Sequence, residues 1–275
     1  MTTGPSHRSP AAPPSPLASS HVEADGVPVA EPGLAAALMS GYGHFTAMQV
    51  RDGRVKGLGL HLDRLDGATR ELFGHPLPGE RVRTLLAGAL ARAGRTDASA
   101  RVYAYPGAGP GGGARILVTV AAPAPDGSGA PQRLRSVDYL RPAPHLKHLG
   151  GFGQTYHGEA ARRAGFDEAL LTSPAGEVAE GAVTNVAFWD GTCLVWPSAP
   201  CLVGITMALL RDRLPSVRRP VTLDGLSGFR AALVTNSRTI APVVAVDGVR
   251  FPVDEELMER VHAAYRAVEG EPVAG

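Results

Sequence analysis

EVAEGAVTNVAF, residues 177–188, sets a carboxylate in a run of small and apolar residues. Glu180 is followed by Gly181, Ala182, Val183 and Thr184, and Asn185 then heads a strand-like segment, Asn-Val-Ala-Phe-Trp. A carboxylate in such a setting is usually solvent-facing or poorly placed. Working outward, EALLTS before this stretch and CLVWP after it read as short strands. GQTYHGEAARRAG reads as a helix and SVDYL as a strand upstream. Downstream come a helix, ITMALLRDRL, a strand, AALVT, and a last helix from about Asp254 to Val268.

The front of the chain is organised differently. HFTAMQVRDGRVKGLGL, residues 44–60, reads as two strands joined at Asp52-Gly53, a dipeptide suited to tight hairpin turns. In the helix that follows, Leu62, Leu65, Ala68 and Leu72 fall at helical spacing, and Gly74 stops it. Residues 79–94 read as a second amphipathic helix, and the strands ARVYAYP and ARILVTVA come next. The loop between those strands, GAGPGGG at 107–113, matches G-x-G-x-x-G in form. A dinucleotide fingerprint requires a helix directly after its glycines; here a strand follows and Pro110 interrupts the loop, so a hairpin connection is the better reading. Residues 122–134, rich in Pro, Gly and Ser, mark a boundary. The expected organisation is α+β: a disordered tail over 1–21, a small α+β domain over 22–121, a linker over 122–134 and a large domain over 135–275, with a site in the cleft between lobes.

Bulk properties exclude several classes. A formal net charge of +1 over 275 residues gives no electrostatic case for nucleic-acid or membrane-surface binding. Two cysteines, Cys193 and Cys201, show no metal-ligand spacing and read as reduced thiols of a cytoplasmic protein. No apolar run reaches the length of a membrane span, and the first twenty residues lack the apolar core of a secretory signal.

Lys147 lies in HLKHLGGFG, between a strand and a helix, among apolar residues and glycines. A lysine in such surroundings can be desolvated, which lowers its pKa and frees the amine for nucleophilic work. An acid (Glu180), a helix start with a hydroxyl (Gly204-Ile205-Thr206) and an arginine (Arg64 in His61-Leu-Asp-Arg64) complete a set. Such a set meets the needs of a pyridoxal phosphate site: an amine for a Schiff base, an acid for the pyridine nitrogen and a cup for the phosphate.

From about Gly41 to Val246 the chain resembles the class IV aminotransferases, the fold-type IV pyridoxal-phosphate enzymes that include branched-chain aminotransferases, D-amino acid aminotransferases and aminodeoxychorismate lyases. GYGHFTAMQV resembles that family's glycine-aromatic strand, HLDRL its His-x-x-Arg-Leu helix start, and GEVAEGAVTNVAF its Gly-x-Val-x-Glu-Gly-x-x-x-Asn signature. GITM resembles Gly-Ile-Thr-Arg, VTNSRTIAPV the phosphate-side Thr-Asn-Ser…Pro-Val, and the spacing from LKHL to GFDEALL that of the lyase branch. The resemblance implies a two-domain homodimer of the D-amino acid aminotransferase type that acts on a small amino acid/keto acid pair. It implies Lys147 as the Schiff-base and proton-carrying residue and Glu180 as the partner of the pyridine nitrogen. Arg64, the amides of Ile205 and Thr206 and the Thr206 hydroxyl are expected on the phosphate, joined by Asn236, Ser237 or Thr235. Tyr42, His44, Phe45 and Phe152 are expected on the substrate side.

Three positions depart from the family pattern. Phe152 stands where a cofactor-supporting tyrosine is usual, Met207 where an arginine is, and Thr46 where an acid is. Tyr156 lies about one helical turn beyond Phe152. A lyase of the aminodeoxychorismate type and a non-catalytic relative that binds a ligand or partner stand as alternatives; the retained Lys147, Glu180, Arg64 and Thr206 speak against the latter. The dimer is expected to form through the strands of 40–60 and 99–121, where Tyr42, Phe45, Tyr103 and Tyr105 cluster, with a partner loop at each site's mouth.

Overall fold

The computed structural model describes residues 23–24, 27–28, 39–107, 113–125 and 127–274. The expected N-terminal tail and the middle of the 107–113 loop lie outside them. Glu23–Ala24 (β1) and Val27–Pro28 (β2) pair antiparallel.

The small lobe is built on β3 (His44–Arg51), β4 (Arg54–Lys56), β5 (Ala98–Pro106) and β6 (Ala114–Ala121), with helices α1 (Leu58–Phe73) and α2 (Gly79–Arg92). In β3 buried and half-buried residues alternate along all eight positions, as a strand with one face on a core requires. Thr46, Met48 and Val50 face inward, and Met48 and Val50 pack with Leu58, Leu65, Leu86 and Val102. Asp52 and Gly53 both adopt positive φ, 49° and 68°, so the expected hairpin turn is present. Gly107 N donates to Gly113 O at 2.8 Å, which closes the second hairpin where the nucleotide-loop reading was set aside.

The large lobe carries a nine-stranded sheet. It contains β7 (Gln132–Asp138), β8 (Glu168–Thr172), β9 (Val178–Gly181), β10 (Asn185–Trp189), β11 (Leu194–Pro197), β12 (Ser216–Arg219), β13 (Ala231–Thr235), β14 (Ile240–Val246) and β15 (Val249–Arg250). Strands β8, β9, β10, β11 and β13 are buried at every position, because both faces are covered. Along β10, Val186 and Phe188 enter one core, while Ala187 and Trp189 enter the other with α4 (Ile205–Arg211) and α5 (Glu255–Arg266). Met207, at the position where an arginine was the family expectation, points into that second core and is 1% exposed. Helix α3 (Phe152–Arg163) packs beside β8. Asp254 caps α5 by accepting from Leu257 N at 2.9 Å.

Strand pairing redraws the expected boundaries in two places. Gln132–Leu134, expected in the linker, already belong to β7 and pair with β14. At the other end Gly270–Pro272 (β16) leave the large lobe and pair with β4, closing the edge of the five-stranded sheet β16-β4-β3-β5-β6. The lobes meet closely at Gly57, where a Cβ would stand 3.2 Å from Ile205 Cγ2 and 3.3 Å from Leu209 Cδ1, and φ is +67°. Among the described residues no helix is long and apolar enough to cross a membrane.

Candidate active site between the two sheets

A cavity of about 560 Å³ lies where the outer face of the small-lobe sheet meets the large lobe. Phe45, Ala47 and Gln49 of β3 and Arg101 and Tyr103 of β5 form one wall, and α1 adds His61 and Arg64. The large lobe supplies Arg141, Lys147, Glu180, Thr206 and the turn 235–238.

The sequence has two lysines, Lys56 and Lys147. Lys56 Nζ donates to the carbonyls of Tyr265, Arg266 and Val268 at 2.8, 2.8 and 2.6 Å, so it caps the end of α5 and ties it to the small lobe. Lys147 Nζ instead stands over the Phe45 ring, 4.9 Å from its centroid. Burial, with help from Arg64, Arg141 and Arg101, lowers its pKa from 10.5 to about 8, and Glu180 opposes the fall. The backbone around Lys147 is pinned to β3 by Phe45 N donating to Lys147 O at 2.9 Å and Leu149 N donating to Gly43 O at 2.8 Å.

Glu180 is 5% exposed on β9. Arg141 Nη1 lies 3.3 Å from its Oε1, and Leu202 N donates to its Oε2 at 3.2 Å. Burial pushes the Glu180 carboxyl up; Arg141, the Leu202 amide and Lys147 hold it down. Arg141 also donates to Pro144 O (3.0 Å) and Leu146 O (2.8 Å), so one guanidinium both faces Glu180 and braces the turn that leads into Lys147. Ala143 in that turn adopts φ +42°, a conformation held by this surrounding network. Sequence reasoning missed Arg141. Its one visible signal was a single basic residue in the proline-rich run RPAPHL before the lysine.

The small residues after Glu180 turn out to serve a second acid. Glu168, 6% exposed, accepts from Val183 N at 2.7 Å and from Thr184 Oγ1 at 3.1 Å. A Cβ on Gly181 would lie 2.6 Å from Glu168 Oε1 and 2.2 Å from Thr184 Oγ1. The glycine therefore makes room for the side chains that anchor the 181–184 turn.

Arg64 and Thr206, from different lobes, both line the cavity. Arg64 Nη2 donates to Val203 O at 2.7 Å, and burial lowers its pKa from 12.5 to about 10. Ile205 and Thr206 open α4, so their amides have no intrahelical acceptor. The Thr206 hydroxyl is engaged elsewhere, donating to Asn236 O at 2.9 Å. Asn236 Oδ1 accepts from Arg238 N and Thr239 N within its own turn. Thr235 Oγ1 is buried without a hydrogen-bond partner, and Ser237 lines the cavity beside it.

Of the four residues expected on the substrate side, the cavity wall contains only Phe45. His44, one position earlier, faces the opposite side of β3. It is fully buried, pairs through Nε2 with Thr69 Oγ1 at 3.0 Å, and burial lowers its pKa to about 4. Tyr42 donates its hydroxyl to Leu72 O at 2.8 Å outside the wall. Phe152 begins α3, is 81% exposed and stacks on Tyr156 rather than entering the cavity. Thr46 points into the small lobe, 2.6 Å from His61 Nδ1. The pKa of His61 falls to about 3 through burial, Arg64 and Lys147.

The amino-transferase class IV family model matches residues 43–246. The fold is similar to a putative 4-amino-4-deoxychorismate lyase from Legionella pneumophila, with a TM-score of 0.76 at 20% identity over 85% of this chain and 93% of that one. It is similar to a fold IV transaminase from Curtobacterium pusillum, with a TM-score of 0.70 at 25% identity over 82% and 87% of the two chains. A branched-chain amino acid aminotransferase from Escherichia coli superposes with a TM-score of 0.74 at 18% identity over 84% and 86%. No curated protein sequence matches the chain. Because the family match runs through both lobes and takes in the cavity from Phe45 to Arg238, the chain belongs to the class IV aminotransferases and is an enzyme of that pyridoxal-phosphate-dependent family.

Proposed function

We propose that the enzyme transfers an amino group between a small amino acid and a keto acid, with Lys147 as the cofactor-bearing amine. The observation that carries this reading is the contrast between its two lysines. Both line the cavity and both have a lowered pKa, but the Lys56 amine is held by three carbonyls, whereas the Lys147 amine stands over the Phe45 ring with its pKa down at about 8. The cavity also fits an aromatic aldehyde phosphate. A buried carboxylate, a guanidinium and a partnerless buried hydroxyl on Thr235 stand around the amine. Bound there, pyridoxal phosphate supplies an electron sink for the pair released when a substrate's Cα–H bond breaks.

The chain's own residues do the rest. Lys147 Nζ would take the proton from the substrate Cα and carry it to the cofactor's C4′, a role suited to an amine whose pKa burial and its neighbouring arginines lower to about 8. Glu180, whose carboxyl Arg141 and the Leu202 amide hold down against burial, would accept a hydrogen bond from the cofactor's ring N–H. Arg64 and the first amides of α4 hold the phosphate. The substrate's anionic groups meet Arg101 on the small-lobe wall and Arg238 on the opposite turn, and Glu180 is the sole acid among the residues lining the cavity. The reading includes a cytoplasmic homodimer. Exposed aromatic surface at Tyr42, Phe152 and Tyr156 supports the dimer, and the free thiols of Cys193 and Cys201 support the compartment.

Borohydride reduction in the presence of cofactor, followed by peptide mapping, should place the label on Lys147, and Lys147→Ala should lose both label and activity. A label on Lys56, or none, refutes the assignment. The spacing from Lys147 to the Asp167-Glu168 pair favours a second reading, the lyase. A panel of amino acids, scored for keto-acid formation against pyruvate release from an aminodeoxychorismate-type substrate, separates the two.

A further inference from the structure

Phe45 contacts Lys147 in two ways at once. Its amide donates to the Lys147 carbonyl at 2.9 Å, and its ring lies under the Lys147 ammonium at 4.9 Å. The ring also stacks on Tyr103, with centroids 5.3 Å apart and planes 21° apart. Tyr103, Phe45 and Lys147 thus make consecutive contacts, and turning the Phe45 ring out of its plane would break the stack on Tyr103. No hydrogen bond from Lys147 Nζ to another described residue accompanies this contact.

The other charged and titratable groups around the amine come from several elements. Arg64 and His61 face it from α1, Arg101 from β5, Arg141 from the turn before it, and Glu180 from β9. Three of these are guanidiniums that disfavour an ammonium, and the buried His61 is neutral. Glu180, the one acid, is shared with Arg141. Beside Glu180, the electron-rich face of Phe45 is the feature at the amine that favours its charged form.

We propose that Phe45 is an electrostatic positioning residue: its ring face orients the Lys147 amine and sets the pH at which that amine becomes nucleophilic. The proposal rests on the reading of Lys147 as the reacting amine. It adds that the small lobe, through this ring, tunes a group carried by the large lobe. Burial and the three arginines favour the neutral amine, Glu180 opposes them, and the ring's attraction adds to Glu180 in favouring the charged form.

Replacing Phe45 with mono-, di- and trifluorinated phenylalanine drains the ring face stepwise while nearly preserving its shape. In cofactor-free full-length protein, the pH dependence of Lys147 acetylation by acetic anhydride, resolved by peptide mapping, reports its pKa. Lys56, whose amine is held by three carbonyls and stands over the Tyr265 ring rather than that of Phe45, serves as the internal reference in the same digest. The Lys147 midpoint should fall monotonically along the series, by ~0.5–1 pH unit in total. The Lys56 midpoint should stay fixed. An unchanged or rising Lys147 midpoint overturns the proposal. Because this readout needs no cofactor, it is independent of the borohydride mapping: failure of that mapping refutes the proposed function, and failure of the fluorination series refutes only the role of Phe45.

Discussion

At the scale of single residues, the site is a set of unequal pairs. Glu180 is held between Arg141 and the Leu202 amide, which oppose the burial that pushes its carboxyl up. Glu180→Gln keeps the shape and removes the charge. Turnover should fall by roughly a hundredfold, on the order of 3 kcal/mol in the barrier, with a much smaller change in cofactor affinity. Steady-state kinetics alongside a cofactor titration checks this; near-native turnover would remove Glu180 from the chemistry. Arg64 lines the cavity and donates to Val203 O, one residue from the amide that holds Glu180, and we propose that it also grips the cofactor's phosphate. Arg64→Ala should weaken cofactor binding by roughly 1.5–3 kcal/mol, seen as loss of cofactor on dialysis and partial rescue by excess pyridoxal phosphate. Full retention after dialysis would show that the phosphate is held without it.

At the scale of elements, the decisive contact joins β3 to the segment 147–150. Gly43 permits it: a Cβ there would lie 2.7 Å from Leu149 Cδ1 and 2.9 Å from the Ala104 carbonyl oxygen. Gly43→Ala should push the lysine segment off β3, lowering stability by ~1–3 kcal/mol and slowing cofactor capture. Gly67 in α1 is the contrasting position, exposed, with nothing within 4 Å of its would-be Cβ. Gly67→Ala should raise stability by up to about 1 kcal/mol through helix propensity and leave capture unchanged. Urea unfolding and stopped-flow capture of cofactor test both variants. If Gly43→Ala captured cofactor at the wild-type rate, the bridge would be irrelevant to lysine placement.

At the scale of the whole molecule, the lobes are laced together more than the linker alone suggests. Lys56 caps α5 from across the interface, and β16 returns from α5 to the small sheet. Glu271 of that strand accepts from Gly59 N, at the start of the helix that carries His61 and Arg64. The cavity is therefore lined by residues from Phe45 to Tyr265, with both lobes tied together around it. The strands of 40–60 and 99–121 present one face to their own core and the other to the cavity side, and we expect a second copy to cover what remains. Light scattering at micromolar concentration should report twice the chain mass. A fully active monomer would show that each site is complete within one chain.

The sequence by itself determined the elements whose residues repeat with a clear period, such as the β3–β4 hairpin and α1, and it named Lys147, Glu180, Arg64 and Thr206 through motifs of fixed spacing. Those features are local, because a strand's alternation or a helix's stripe is written in neighbouring residues. Which face of a strand looks at the cavity is not local. His44 and Phe45 were expected together, yet the pleat sends one to Thr69 and the other to Lys147. Nor could spacing show that the Thr206 hydroxyl bonds to Asn236 O, or that Arg141 reaches Glu180 across 39 residues. Only the tertiary structure decided these, because they depend on how two sheets meet in space, and the energy of a buried charge is settled by whatever that meeting brings within a few ångströms of it.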